Sequence, residues 1–378
     1  MAKMIELVEV SKSYGSVPAV DKLSLAIEAG ELCVLIGPSG CGKTTCAKMI
    51  NRLIEPSSGQ VLVNGVDVKS VDPQQLRRQI GYVIQSIGLF PHLTVQENIG
   101  MVPDLLGWEK GRIYGRIREV MDLVSLAPDR FLRKYPRELS GGEAQRVGVA
   151  RALAADPPIL IMDEPFGAVD PLVRDRLHTE FLSIQHHLHK TVVFITHFID
   201  EAIRLADRIA IMKAGQIVQY DRVDYVLEHP VDDFVKEFLG TDRALKRLLK
   251  IKVEDYWQPA VSFRLQTQGQ EIETYLAQNP YVWITDEELH LQGWISSPLS
   301  PGRSVAQQMT AVDPDLIAVK QEASLSEALA TMLDQAILKV PVLDSANRFL
   351  GEIQLEDIAH FESRRINVRK NGDRGVTG

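Results

Sequence analysis

The sequence predicts an α/β protein in two folded parts, and three observations carry that prediction. First, Gly37-Pro38-Ser39-Gly40-Cys41-Gly42-Lys43-Thr44 places a glycine loop between the apolar run Leu32–Ile36 and a helical stretch from Lys43 to about Leu53. Second, the apolar runs 159–162 and 192–195 are separated by helical patterning, as strands of a buried parallel sheet are. Third, 378 residues exceed one ordinary core, and the character of the chain changes near Gly240.

Composition sets the outer limits. Hydrophobic residues make up 45% and charged residues 24%, the balance of a globular protein rather than a disordered one. A net charge of −8 speaks against a nucleic-acid polymer as partner, because such a footprint would be basic. No run reaches the ~18 apolar residues of a membrane span, and residues 1–10 hold no apolar leader core. A protein of this kind that serves a membrane docks on it. Cys33, Cys41 and Cys46 fit reduced cytosolic thiols better than a disulfide framework.

Taken in order, 5–10, 23–27 and Leu32–Ile36 read as strands, and 96–137 as mostly helical, with Ile113, Ile117, Val120 and Met121 spaced among charges. The whole is an α/β sheet carrying a helical insertion. Past Gly240, Arg243, Lys246, Arg247 and Lys250 recur at helical spacing, with Leu245, Leu248 and Leu249 on the other side. The expected domains are therefore 1–240, an amphipathic basic linker helix at 241–252, a smaller α/β unit at 253–362, and a tail at 363–378. That tail has five basic residues against one acid and reads as disordered. His186, His187 and His189 lie in a helical stretch without matching carboxylates or cysteines, so a solvated face is expected there, not a metal site.

The glycine loop matches G-x-x-x-x-G-K-[ST]. Glycines let the backbone curl until its N–H groups point at phosphate oxygens, and the helix opening at Lys43 adds the positive end of its dipole. Lys43 supplies a point charge for the β- and γ-phosphates, and Thr44 a hydroxyl for Mg²⁺. Asp163, closing an apolar strand, is placed to hold hydrated Mg²⁺. Glu164 follows directly and is able to polarise an attacking water. Taken alone, the Asp163-Glu164 pair fits a strand-end turn before Pro165 equally well.

Leu139-Ser140-Gly141-Gly142-Glu143, followed by Ala144-Gln145-Arg146, resembles the signature motif of ABC ATPases, with Glu143 where glutamine is usual. Small residues there expose N–H groups at a helix start, and Ser140 doubles as an N-cap. Other elements of that family follow in order. Tyr14 resembles the aromatic that stacks on adenine, although alone it reads as a strand tyrosine. Gln85 resembles the Q-loop glutamine that reaches Mg²⁺ and the water. Ala168-Val169-Asp170 resembles the D-loop, and His197 the switch histidine. The resemblance implies a P-loop NTPase with a RecA-like core and antiparallel β and helical subdomains. It binds ATP through Tyr14, Gly37, Pro38, Ser39, Gly40, Cys41, Gly42, Lys43, Thr44, Thr45, Ser140, Gly141, Gly142 and Asp170. Its Mg²⁺ ligands are Thr44, Gln85 and Asp163, and its catalytic residues Glu164, His197, Gln85 and Lys43. It further implies a homodimer, the signature of one copy capping ATP on the other, with Glu143 turned away from the γ-phosphate.

The runs Phe166-Gly167-Ala168-Val169-Asp170-Pro171 and Phe198-Ile199-Asp200-Glu201-Ala202 resemble importer ATPases, closest to those for glycine betaine, carnitine or choline. These end in paired CBS modules. Met309-Thr310, 323–332, 340–344 and 351–358 resemble one such module, and Asp255-Tyr256-Trp257-Gln258-Pro259 with Gly293-Trp294-Ile295-Ser296 a shorter, degenerate one. Gln354 stands where threonine is usual, while Asp357 retains the acid that binds a regulatory nucleotide's ribose. The implied partners are permease subunits, an extracytoplasmic binding protein, and a cyclic dinucleotide or anionic lipid at the CBS region and basic tail. The implied location is the cytoplasmic face of the membrane. A subunit for amino acids or another small solute, and a nucleotide-sensing regulator, are the alternatives.

Overall fold

A computed structural model of the chain describes residues 2–84, 88–167, 189–296, 298–300 and 303–361, together with Arg174, His178, Phe181, Leu182 and Gln185. The chain divides into two compact units, Met1–Arg243 and Ala244–Gly378.

In the first unit an antiparallel sheet, ordered β2-β1-β4-β5, is built from β1 (Lys3–Tyr14), β2 (Val17–Glu28), β4 (Ser58–Val63) and β5 (Val66–Asp67). A second sheet comprises β3 (Leu32–Ile36), β6 (Ile80–Val83), β7 (Ile159–Asp163), β8 (Thr191–Ile195), β9 (Arg208–Lys213) and β10 (Gln216–Arg222), ordered β10-β9-β3-β8-β7-β6. All its pairings are parallel except β9 with β10. Every residue of β3, β7 and β8 is buried, which is why they read as unbroken apolar runs. Because β3, β7 and β8 are parallel neighbours, the loops leaving them share one edge of the sheet, where α/β proteins place ligands. Ile5, Leu25 and Ile27 of the antiparallel sheet join Leu35, Ile161 and Ile195 of the other in one apolar core.

The expected helical insertion is a packed trio, Val95–Leu105, Lys110–Leu123 and Gly141–Ala154. Thr94 and Glu97 close a capping box at its entry. Arg116 donates to the carbonyls of Leu153 and Ala154, satisfying the end of the third helix.

The second unit repeats one arrangement twice. In the first copy β11 (Ser262–Arg264), the helix Gly269–Leu276, β12 (Tyr281–Thr285) and β13 (Leu291–Ser296) succeed one another. After β14 (Thr310–Ala311), the second copy runs through β15 (Val319–Lys320), the helix Leu325–Asp334, β16 (Lys339–Leu343) and β17 (Phe349–Gln354). In each copy the first strand pairs parallel with the second, and the second antiparallel with the third. Even the irregularity repeats: Ile284 faces Gly293 and Thr285 faces Leu291, as Val342 faces Gly351 and Leu343 faces Phe349.

The segments that open the two modules are exchanged. Val253 N–H donates to Ala323, and Gln258 and Glu352 bond reciprocally through N–H and carbonyl at 2.9 Å, so the first opening crosses the second module. The second opening, β14, pairs with β13 of the first module. Glycine is required at both crossings. A Cβ on Gly351 would lie 2.1 Å from the Gln258 carbonyl oxygen, and one on Gly293 2.3 Å from that of Thr310.

The expected linker helix is shorter than its pattern. Only Arg243–Arg247 is α-helical, and Leu248, Leu249 and Lys250 close three-residue turns instead. Leu248 is buried with Val253, Tyr256 and Leu325, while Leu245 is exposed, so the supposed apolar stripe is split. Arg247 stacks over Phe361 at 5.0 Å. The tail 363–378 lies outside the described residues.

Glu352 joins the two modules. It accepts from Tyr281 Oη (2.6 Å), Trp283 Nε1 (2.9 Å), Lys339 Nζ (3.0 Å) and Gln354 Nε2 (3.0 Å). Burial opposes its charge, yet the bonds from Tyr281, Trp283 and Lys339 hold the carboxyl below the usual range.

Candidate active site

Gly37 and Gly42 have φ of 153° and 107°, and a Cβ on either would meet a backbone oxygen, Met212 at 2.2 Å or Ala19 at 2.5 Å. Only glycine closes this loop against β9 and β2. The helix Lys43–Ile50 starts at once, so its free N–H groups and dipole face the loop. Lys43 is buried and folds back over the curl, donating to the carbonyls of Gly37 (2.7 Å) and Pro38 (3.1 Å). Pro38, Ser39 and Gly40 form the exposed rim, Cys41 lies beneath it, and Thr44 and Thr45 stand half-buried in the first helical turn. The three thiols are free and buried. Burial, with Cys41 nearby, pushes Cys46 up to about 12.

The end of β7 supplies the acids. Thr44 Oγ1 donates to Asp163 Oδ1 at 3.0 Å, bringing a strand end and a helix start together across 119 residues of sequence. Burial raises the Asp163 pKa against the opposing Thr44 bond, and the Glu164 charge adds to the rise. A hydroxyl and a carboxylate at this spacing suit a hard divalent cation, whose charge would offset that cost. Glu164 sits at φ 46°, in the left-handed region unusual for a side-chain-bearing residue, pinned by its N–H to Ile195 and its carbonyl to Gly167. The strained backbone aims its carboxylate at the end of β8, where Oε1 lies 3.2 Å from Nδ1 of His197. Asp163, Glu164 and His197 therefore converge on the edge where the glycine loop emerges.

Ser140 caps the helix Gly141–Ala154. Its Oγ accepts from the Glu143 N–H (3.3 Å), while the Glu143 carboxylate accepts from the Ser140 N–H (2.7 Å). That reciprocal box explains an acid at this position: the carboxylate is turned back on the cap, and the Ser140 backbone bond holds its pKa down. Ser140 and Gly141 are exposed, and Gly142 is half-buried. Tyr14, at the tip of β1, is 53% exposed, as a ring offered for stacking must be, with Lys12 5.4 Å from its centroid. Gln85 and Asp170 lie outside the described residues, as do His186 and His187.

Asp357, read as a ribose-binding acid, is 3% exposed. Its carboxylate accepts from Gln258 Nε2 (2.8 Å) and from the Gln354 N–H (3.0 Å), capping the helix Leu355–Ala359. The exchanged segment thus supplies its partner from within the chain.

Comparison with known proteins finds relatives for both units. The ABC transporter family model matches residues 20–167, and the CBS domain model residues 308–364. The osmoprotectant import ATP-binding protein OsmV of Salmonella typhimurium is 43% identical over 376 residues, 96% of this chain and 97% of that one. The chain belongs to the ATP-binding subunits of ABC transporters. The glycine betaine/carnitine/choline transport ATP-binding protein OpuCA of Bacillus subtilis is 45% identical, over 92% of this chain and 93% of its own length. Among solved structures, the dimeric ABC transporter cassette MJ0796 superposes with a TM-score of 0.54 at 33% identity, covering 58% of this chain and 99% of that one. As an ABC subunit this chain is an ATPase with a C-terminal CBS domain.

Features of this ABC subunit escaped its motifs. Phe198 lies against His197, ring centroids 4.0 Å apart, and Arg174 stacks over Phe198 at 4.2 Å, so the histidine is backed by an aromatic and a cation. No periodicity marks such a stack, because Arg174 and Phe198 meet only once the chain is folded. A surface groove of about 600 Å³ opens between Val95–Leu105 and Lys110–Leu123, lined in part by Leu93, Met101, Leu105 and Tyr114. A smaller one of about 220 Å³ is lined by Arg77, Arg78 and Arg151 with Asn51 and Tyr82. The buried Asn51 Oδ1 and Tyr82 Oη have no hydrogen-bond partner among the described residues.

Proposed function

We propose that this chain powers uptake of a quaternary-amine osmoprotectant by hydrolysing ATP on the cytoplasmic face of a membrane transporter. The observation that carries the hydrolytic part is the convergence of the Thr44–Asp163 bond and the Glu164–His197 contact on the glycine loop. Glycine-loop amides and Lys43 bind the phosphates, and Tyr14 carries the adenine. Thr44 and Asp163 would hold Mg²⁺, with Gln85 the third ligand that the family resemblance implies. Such an ion would supply charge to offset that developing on the phosphates. Glu164 accepts a proton from water placed beside it, and His197 keeps that carboxylate oriented while reaching the γ-phosphate.

The exposed signature start at Ser140 and Gly141 supports action in pairs, each copy capping the nucleotide on the other; a part for Asp170 there is what the family resemblance implies. Leu105 and Tyr114, 58% and 45% exposed beside a groove, suit a docked apolar helix, and the arginines of the smaller groove suit an acid on it. A permease subunit, itself served by an extracytoplasmic binding protein, is the partner this surface fits.

Similarity along nearly the whole length, second unit included, to import subunits named for osmoprotectants supports the substrate class. Uptake of radiolabelled glycine betaine after osmotic upshift is the test. Loss on deletion of the chain, restored by wild type and not by Glu164→Gln, is expected. Unchanged uptake would redirect the substrate to amino acids or other amines.

A further inference from the structure

Two segments leave the catalytic edge of the sheet. Phe166 lies two residues beyond Glu164, and His197 leads into the helix Ile199–Leu205, which carries Glu201. His178 Nε2 and Glu201 Oε1 meet at 2.6 Å. His178 is 3% and Glu201 5% exposed, and their surroundings are aromatic. Phe166 packs edge-on to the His178 ring at 5.2 Å and also lies 6.5 Å from Phe181 and 6.0 Å from Phe194.

A polar pair in such a cluster adds little stability over two well-packed apolar side chains, since desolvation offsets its attraction. What it supplies instead is a direction and a fixed length. Apolar packing specifies no partner atom, whereas a hydrogen bond sets donor, acceptor and the angle between them. The groups served by that fixed length are two and four residues away. Phe166 follows Glu164 by two positions and touches His178, while Glu201 lies in the first turn of the helix that begins two residues after His197.

We propose that His178 and Glu201 are positioning residues, a buried latch that holds Glu164 and His197 in register for hydrolysis. The inference rests on reading Glu164 and His197 as the hydrolytic pair. Misplacing reacting groups by about 1 Å costs on the order of 10²-fold in rate, so a latch remote from the phosphates still acts on turnover. It acts on kcat and not on ATP affinity, because its contacts lead to Phe166 beside Glu164 and to the helix that follows His197.

The test is steady-state ATPase activity of the full chain, with thermal melting and nucleotide affinity measured on the same preparations. His178→Leu/Glu201→Leu is expected to melt within a few degrees of wild type. Its kcat should fall at least tenfold, with KM for ATP within about twofold. Glu201→Gln, which keeps a hydrogen bond, should retain at least a third of wild-type kcat. Wild-type kcat in the double variant, or a kcat loss in Glu201→Gln equal to that of the double, overturns the latch. Glu164→Gln and His197→Ala run alongside. If they also turn over normally, the reading of the hydrolytic pair has failed; if they are inactive while the double variant is not, the latch alone has.

Discussion

Glu164 allows chemistry and folding to be separated at one position. Its φ of 46° lies where an L-residue is strained by about 1–2 kcal/mol, and glycine is not. Allowing for the extra freedom glycine has when unfolded, Glu164→Gly should stabilise the first unit by about 1 kcal/mol. For a unit of this size that is roughly 2–4 °C in melting temperature. The same substitution deletes the carboxylate 3.2 Å from His197. Losing a general base costs about 10²–10⁴ in rate, or ~3–5 kcal/mol of barrier. Glu164→Gln keeps the side chain and the strain but not the basicity, so it should melt like wild type and be equally slow. Neither change touches the loop that holds the phosphates, so ATP affinity should persist in both. Calorimetry, phosphate release and nucleotide titration on the three proteins decide the matter. Turnover within threefold of wild type in either variant would refute the base assignment, and a lower melting temperature for Glu164→Gly would refute the strain argument.

Other predictions address the caps and the second unit. Glu143→Gln preserves the reciprocal cap and should leave ATPase within about twofold, whereas Glu143→Ala should cost roughly 0.5–1 kcal/mol of stability by chemical denaturation. Gly351→Ala drives a Cβ to 2.1 Å from a backbone oxygen and should destabilise the second unit by about 1–3 kcal/mol, seen as a lowered second melting transition. Glu352→Ala strands the hydroxyl, indole and ammonium donors that converge on it; Lys339 is one-third exposed, so about 1–3 kcal/mol is expected and not the full cost of a buried ion. The pH dependence has a definite sign. A Glu352 carboxyl depressed in the fold stabilises fully above the unfolded value of about 4.3, and that stability is lost as pH falls through the lower folded value. In Glu352→Gln, melting temperature should therefore fall less steeply below about pH 4.3 than in wild type.

Part of this protein was legible residue by residue. The glycine loop could be read because its requirements are local: Gly37 and Gly42 must take positive φ, and Lys43 and Thr44 follow by chain connectivity. The buried strands could be read because two covered faces demand unbroken apolar runs, and the signature because Ser140 and Glu143 cap within one turn. A pattern of charges was a poorer guide. Residues 243–250 suggested a continuous helix, but burying Leu248 and leading Val253 to Ala323 tightened its second half into turns.

The sequence by itself determined the chemistry available and the class of sheet that carries it. Only the tertiary structure decided which groups meet. Glu164 and His197 are 33 positions apart and touch because β7 and β8 are parallel neighbours, ending at one edge. His178 reaches Glu201, Glu352 gathers donors from both modules, and Gln258 satisfies Asp357, for the same reason. Strand order and segment exchange fix such distances through packing summed over the whole chain, and no local run of residues encodes that sum.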